Sequence, residues 1–452
     1  MKLTFRAPTV LLVVAILLSG AAPAFPQATG FEPSSGGLFG GGDVGRRVRH
    51  KLDFSLSLVE AYDSDANAEL LGTGPTDTLL RGHSTMFMSN AEYRWEGPRV
   101  QVGATGASVL RRYNQLGKVR TVSHTAAVGL SAGLGGRTTL LANQTANYSP
   151  SYLYGLFPGD AVTNPGDAVP AAPDYAISDS ESYFYGTTLT LTHGLSLRSR
   201  LSATGEFQYT DYLNETGTRR DLNSQGIRGE FSSNLARNTA VRAGYRFRTG
   251  KFGYVADAIA TEPGVSATEH SVDVGVQYSR PLSAIRRMVF EFNFGSSTVA
   301  TPVSSGPGIG VNRFFWLSGD IAAAWQFSRS WQTRGTFRRG LEYVAQLSEP
   351  VFVDGFSAEL EGLITPRIDV LVSARYSSGA SALNRDALTF DTYGADLRVR
   401  YALTRSLAVY GGYLHYFYDF QRTTQLPTGI PSSLERNGLR AGLTLWVPAL
   451  RR

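Results

Sequence analysis

Arginines at positions 242, 246 and 248 form the densest run of potential chemistry in this chain. Their even spacing puts them on one face of a strand, because successive strand residues point to opposite sides. Arg334 with Arg338 repeats the arrangement, as does Arg398 with Arg400, and Arg94 falls at the matching position of another alternating run. Carboxylates share these faces, among them Asp53, Glu92, Glu206, Glu230, Asp273, Glu291 and Asp320. A guanidinium offers a planar fork of donors to carboxylates and phosphates, and walls of charged side chains set the selectivity of a pore. The same residues can instead hold a polar interior together as cross-strand ion pairs. Ion pairing suits most of them, and the Arg242–Arg248 ladder is the candidate for selectivity. A GC-rich genome would produce the same preference for Arg over Lys.

The stretch 149–182 is a second candidate. It carries Asp160, Asp167, Asp174, Asp179 and Glu181, five prolines and no Lys or Arg, together with Tyr152, Tyr154 and Phe157. An acidic, proline-stiffened segment opposite an arginine wall would impose a transverse field. Its aromatic faces could also stack on the apolar faces of sugar rings. The alternative is a plain surface loop.

Three other patterns fail chemically. Gly129-Leu-Ser-Ala-Gly133 matches G-x-S-x-G, but that motif needs a strand-to-helix turn and none is predicted there. Asp63-Ser-Asp-Ala-Asn67 has the ligand spacing of a calcium loop, yet Ala68 and Gly74 replace the required Gly and Glu. The six histidines (50, 83, 124, 193, 270, 415) are scattered, without a paired metal-ligand spacing. No catalytic set, metal site or cofactor is predicted.

The elements that must position these residues are strands. In Met288-Val-Phe-Glu-Phe-Asn-Phe294 the apolar residues take one face, and Glu291 and Asn293 the other. Such alternation returns about every 22 residues from Lys51 to Val447. Typical runs are Lys51–Tyr62, Thr85–Trp95, Ser271–Tyr278, Met288–Ser296 and Gly438–Val447. Connections alternate between short (near Glu96, Gly135, Gly194, Arg237, Pro281, Arg329, Pro366 and Thr404) and long, which is the outer-membrane barrel pattern. The fold class is therefore all-β: a transmembrane antiparallel up-and-down β-barrel. Starting and ending on the short-turn side demands an even strand count; about 18 satisfies it, and 16 does so as well. Tyr and Trp gather at strand ends, including Tyr93, Trp95, Tyr185, Trp325, Trp331, Tyr343 and Tyr401. Those places suit the two headgroup girdles.

Lys2 and Arg6, the apolar run Val10–Leu18 and Ala22-Pro-Ala24 read as a signal peptide over 1–24. Residues 25–49, rich in Gly, Pro and Ser, read as a flexible periplasmic tail, and 50–452 as the barrel. No later apolar run approaches the ~20 residues of a membrane helix. The net charge of +6 falls to +4 when Lys2 and Arg6 leave with the signal, and a secreted chain has little access to nucleic acid. With no cysteine there is no disulfide framework.

Together these features resemble Gram-negative outer-membrane β-barrels. Leu56-Ser-Leu-Val-Glu-Ala-Tyr-Asp-Ser-Asp-Ala-Asn67 is similar to the opening strand of the second β-barrel porin family, whose members accompany exopolysaccharide secretion machinery. The resemblance implies passage for glycan across the outer membrane, with polysaccharide-export machinery as partner. The chain departs from it in continuing past Trp446 to Val-Pro-Ala-Leu-Arg-Arg452, where such barrels usually end on an aromatic residue.

The expectation is a non-enzymatic barrel of the bacterial outer membrane, in contact with outer-membrane lipid and lipopolysaccharide. It would act as a porin giving passive passage to a saccharide or secreted polysaccharide. The alternatives are a surface adhesion or scaffold barrel with a plugged lumen, or an outer-membrane lipid hydrolase.

Overall fold

The computed structural model of the chain describes residues 49–64, 82–113, 120–149, 182–212, 221–252, 255–256, 261–262, 266–283, 286–302, 311–344, 350–383, 389–421 and 432–451. The expected signal peptide, nearly all of the expected tail, and Tyr152, Tyr154, Phe157, Asp160, Asp167 and Asp174 lie outside the described residues.

The alternating runs become strands β1 (His50–Asp63), β2 (Gly82–Glu96), β3 (Val100–Tyr113), β4 (Arg120–Gly133), β5 (Thr138–Ser149), β6 (Ser182–Gly194), β7 (Ser199–Tyr212), β8 (Leu222–Ala236) and β9 (Thr239–Phe252). The miniature pair β10 (Val255–Ala256) and β11 (Thr261–Glu262) decorates the next connection. The wall then continues through β12 (Ser266–Ser283), β13 (Arg286–Pro302), β14 (Val311–Gln326), β15 (Trp331–Glu342), β16 (Val351–Thr365), β17 (Ile368–Ser381), β18 (Thr389–Ala402), β19 (Leu407–Phe420) and β20 (Ser433–Arg451).

Among the described residues, eighteen of these strands form one antiparallel sheet. Each pairs with its neighbour in sequence, β9 pairs with β12, and β20 returns to pair with β1. Pairing of the first strand with the last closes the sheet, so backbone N–H and C=O groups meet across that seam rather than in hydrocarbon. The apolar residues of the alternation face outward and are exposed, as Leu58, Val128, Ile227, Val274, Phe294 and Leu443 show. A closed, even-stranded barrel with an apolar exterior and polar interior is a transmembrane barrel of the bacterial outer membrane.

Short turns join β2–β3, β4–β5, β6–β7, β8–β9, β12–β13, β14–β15, β16–β17 and β18–β19, all at the end where β1 starts and β20 finishes. That end is periplasmic. Ser196, Ser328 and Thr404 close three of these turns, each hydroxyl accepting from the backbone N–H groups two and three residues on.

The strands run longer than the sequence pattern indicates. β12 covers Ser266–Ser283 rather than Ser271–Tyr278, and β13 reaches Pro302 rather than Ser296. Ten residues, tilted, already cross the ~25 Å apolar band. Beyond it the outward positions no longer need to be apolar: on β13 they become Ser296, Thr298 and Ala300, so the alternation stops while the hydrogen-bonded ladder continues. The residues after Trp446 are likewise strand. β20 stays paired with β1 as far as Lys51–Arg451, and a register shift beside Asp53 accommodates Pro448. Gly129–Gly133 lies within β4, and no strand-to-helix turn forms there.

Candidate functional site

The polar face of β8, β9, β12 and β13 carries the arginine ladder. Arg242, Arg246 and Arg248 share a cavity of about 570 Å³ with Arg228, Glu230, Asp273, Glu291, Asn293, Asp320, Arg334, Arg338 and Arg375. Ala322, Ala324, Gly340 and Gly355 border the same space, and their small side chains leave it open. Asp320 keeps 47% of its side chain exposed, which makes this interior wet.

Opposite charges meet across strands. Arg228 reaches Asp273 at 2.7 Å and Glu230 at 3.0 Å. Arg242 lies 3.5 Å from Glu291 and 3.8 Å from Asp320, and its Nε donates to Asn293. Asn293 in turn donates to Asp320 at 2.6 Å, and Gln277 to Glu291 at 2.6 Å. Arg246 meets Glu206 at 3.4 Å, and Arg338 meets Glu342 at 3.2 Å. Ladder neighbours thus become a lattice in which guanidinium donors and carboxylate acceptors alternate. Each contact is partly solvated, so single pairs contribute little to stability.

Other predicted lining residues stand apart from this cavity. Arg94 on β2 is 3.8 Å from Glu92, which is also 3.9 Å from Lys51. On β18, Arg400 makes a bidentate pair with Asp369, and Arg398 lies one inward position along the strand. The alternation that turns Glu230 inward turns Arg228 inward as well. Glu269 lies beyond the part of β12 that the sequence pattern reveals.

At the long-connection end, inward side chains are buried rather than wet. Val59, Met86, Leu222, Val299, Phe390 and Tyr416 are each at most 2% exposed. One apolar cluster joins Leu222, Phe252, Ala267, Val299, Trp316, Leu341, Tyr343 and Phe352. Tyr343, expected in the aromatic girdle, belongs to this interior cluster and is 5% exposed. It follows the end of β15, so strand alternation does not govern its direction. Burial pushes its phenol above the usual range. The outward girdle does contain Tyr185, Tyr245, Trp325, Tyr393 and Tyr401.

The histidines are dispersed over the barrel. His270 accepts or donates at 2.8 Å with Tyr245, and His415 lies 2.9 Å from Asn437. Asp63, the first residue of the calcium-like spacing, is bonded to the buried Arg436.

No protein-family model and no curated protein sequence matches the chain. Among solved structures it is similar to OpdL of Pseudomonas aeruginosa, with a TM-score of 0.38 and 10% identity over 89% of this chain and 99% of that one. It is also similar to OccAB3 of Acinetobacter baumannii, with a TM-score of 0.41 and 9% identity over 88% and 99%. A third similar structure is Fiu of E. coli K12, a ferric-catecholate import receptor, with a TM-score of 0.42 and 8% identity over 88% and 81%.

Proposed function

We propose that the chain is an outer-membrane channel of porin type that gives passive passage to saccharides. The carrying observation is the lattice of alternating arginine and carboxylate around a wet cavity inside a closed transmembrane barrel. A sugar hydroxyl both donates and accepts. A wall that offers donors and acceptors side by side can exchange its own contacts for those of a hydroxylated solute at little cost. A wall of unpaired arginines would instead hold an anion and release it slowly. Here pairing leaves a mild preference for anions and a surface suited to neutral, polar solutes. Tyr152, Tyr154, Phe157, Asp160, Asp167 and Asp174 are assigned to a further narrowing of the path. Secreted polysaccharide, delivered by export machinery at the periplasmic mouth, is the larger form of the same solute class.

A second reading, a surface scaffold barrel with a filled lumen, draws on the buried inward side chains at the outer end. Single-channel recording separates the two. The mature chain from Phe25, refolded in detergent and added to a planar bilayer, should give discrete steps that oligosaccharide blocks. Deleting residues 155–178 should enlarge those steps. A folded barrel that stays silent, or whose steps ignore oligosaccharide at millimolar concentration, defeats the saccharide-channel reading.

A further inference from the structure

β14 and β15 pair only from Gln326–Gln332 to Gly319–Arg339, although both strands continue. Past that point β14 stays with β13 as far as Val311, while β15 stays with β16 as far as Glu342–Val351. The upper β15–β16 pair therefore parts from β14 while β16 stays joined to β17 as far as Val351–Ser381, and side-chain burial shows in which direction this side of the sheet turns. Phe337 and Phe356 face outward and are exposed, yet Leu341 and Phe352, on the same face of the hairpin, are 2% and 5% exposed. Phe352 stacks on the inward-facing Trp316 with ring centroids 4.3 Å apart. Phe315 and Leu317, on either side of Trp316, point outward with 73% and 60% exposure. β14 thus stands between the described end of the hairpin (Leu341, Tyr343 and Phe352, the tip hereafter) and the lipid, and these residues lie inside the barrel.

Tyr343 carries the tip across three intervening strands to β9, roughly 20 Å of sheet at the usual strand spacing. There it stacks on Phe252 at 6.1 Å and donates from its hydroxyl to the Ala267 carbonyl at 3.4 Å. The guanidinium of Arg248 covers the ring at 4.5 Å and donates to the Leu341 carbonyl, while Glu269 holds that arginine at 2.9 Å. Gly250 makes the approach sterically possible, since a β-carbon there would overlap the Tyr343 ring. The arginine-lined cavity borders the tip directly, for Arg248, Gly340 and Leu341 are part of its lining.

We infer that the tip of the β15–β16 hairpin, seated on Gly250 through Tyr343, is a constriction that sets the size of solute this barrel admits. The inference rests on the channel reading and adds to it the element that limits width. Arg248 is the ladder member that forms this wedge, whereas Arg242 and Arg246 face the cavity beneath it.

The chain contains no cysteine, so Gly250→Cys with Tyr343→Cys gives a clean reversible cross-link between tip and wall. Folding is checked by heat-modifiable gel migration, cross-linking by the loss of free thiols, and width by single-channel steps. The reduced variant, lacking the tyrosine wedge, should conduct roughly twofold or more above wild type, and oxidation should bring it back toward the wild-type step. Tyr343→Ser alone should match the reduced form. Equal steps in the oxidised and reduced forms, with the cross-link verified, overturn the constriction. Failure of a folded barrel to cross-link overturns the placement of the tip while leaving wild-type conduction, and the channel reading, intact. Silence of every folded form, wild type included, removes the channel reading and the constriction together, even where the cross-link forms.

Discussion

Arg248 places its guanidinium carbon 4.5 Å above the ring of Tyr343, 95 positions later in the chain, and the two together join β9 to the end of β15 across the barrel interior. A cation over an aromatic face in a desolvated place is attractive by ~2 kcal/mol. Here the same cation also bonds Glu269 and the Leu341 carbonyl. Substitutions on the wall beneath the ring therefore act on the tip.

Gly250→Val is expected to push Tyr343 off β9. Overpacking of this kind costs about 1–3 kcal/mol, borne mostly by the tip and little by the barrel. The expected result is a folded barrel with larger single-channel steps and faster proteolysis near residue 343. A variant with unchanged steps and unchanged proteolysis would show that the ring does not rest on this glycine.

The lattice around the cavity predicts the ionic behaviour. Replacing Arg242 and Arg246 by Glu places like charges beside Glu291, Asp320 and Glu206. Reversal potentials under a salt gradient should move from mildly anion-preferring to clearly cation-preferring, a several-fold change in permeability ratio. High salt should blunt the change, because exposed charges are screened within ~8 Å at physiological ionic strength. An unaltered reversal potential would place these arginines away from the ion path.

Asp63 and Arg436 sit on β1 and β20, the two strands that close the barrel, and Arg436 is 2% exposed. Removing one partner of a buried pair costs about 3–5 kcal/mol, because the desolvated charge of the other loses its counter-charge. Asp63→Ala should lower the urea midpoint markedly. Asp63→Leu combined with Arg436→Met should recover most of the loss. A double variant no better than the single would mean that closure depends on the charges themselves.

The two faces of the sheet predict opposite tolerances. Phe292 on β13 points to lipid, and an arginine at the bilayer midplane costs about 2–4 kcal/mol. Gln277 on the neighbouring β12 points inward, donating to Glu291. Phe292→Arg should depress folding into lipid vesicles, whereas Gln277→Arg should fold at near wild-type yield. Equal yields would contradict the assigned sides.

Much of this was legible in the amino-acid order. Phe290, Phe292 and Phe294 against Glu291 and Asn293 determine a strand and its two sides, because strand geometry has a period of two that no distant contact alters. Alternating connection lengths with an even count determine an up-and-down barrel, and 18 strands form. The inward direction of Arg242, Arg246 and Arg248 follows from the parity they share, opposite to that of the outward Tyr245. Where the outward residues turn polar, as at Ser296 and Thr298, the periodic signal ends before the strand does.

Tertiary structure alone decided who meets whom. Arg242 finds Asn293, 51 residues away, because β12 lies between them in the sheet and Gly275, facing inward on β12, carries no side chain to keep them apart. Tyr343 has the composition of a girdle residue and a place beside a strand end, yet it turns inward. The cause is the end of β14–β15 pairing at Gly319–Arg339, which lets the hairpin bend in from β14 while it stays joined to β17, together with the bare backbone at Gly250 that receives the ring. Local period assigns each side chain to lipid or lumen, but only closure of the sheet and its local parting bring side chains from distant strands to one point inside it.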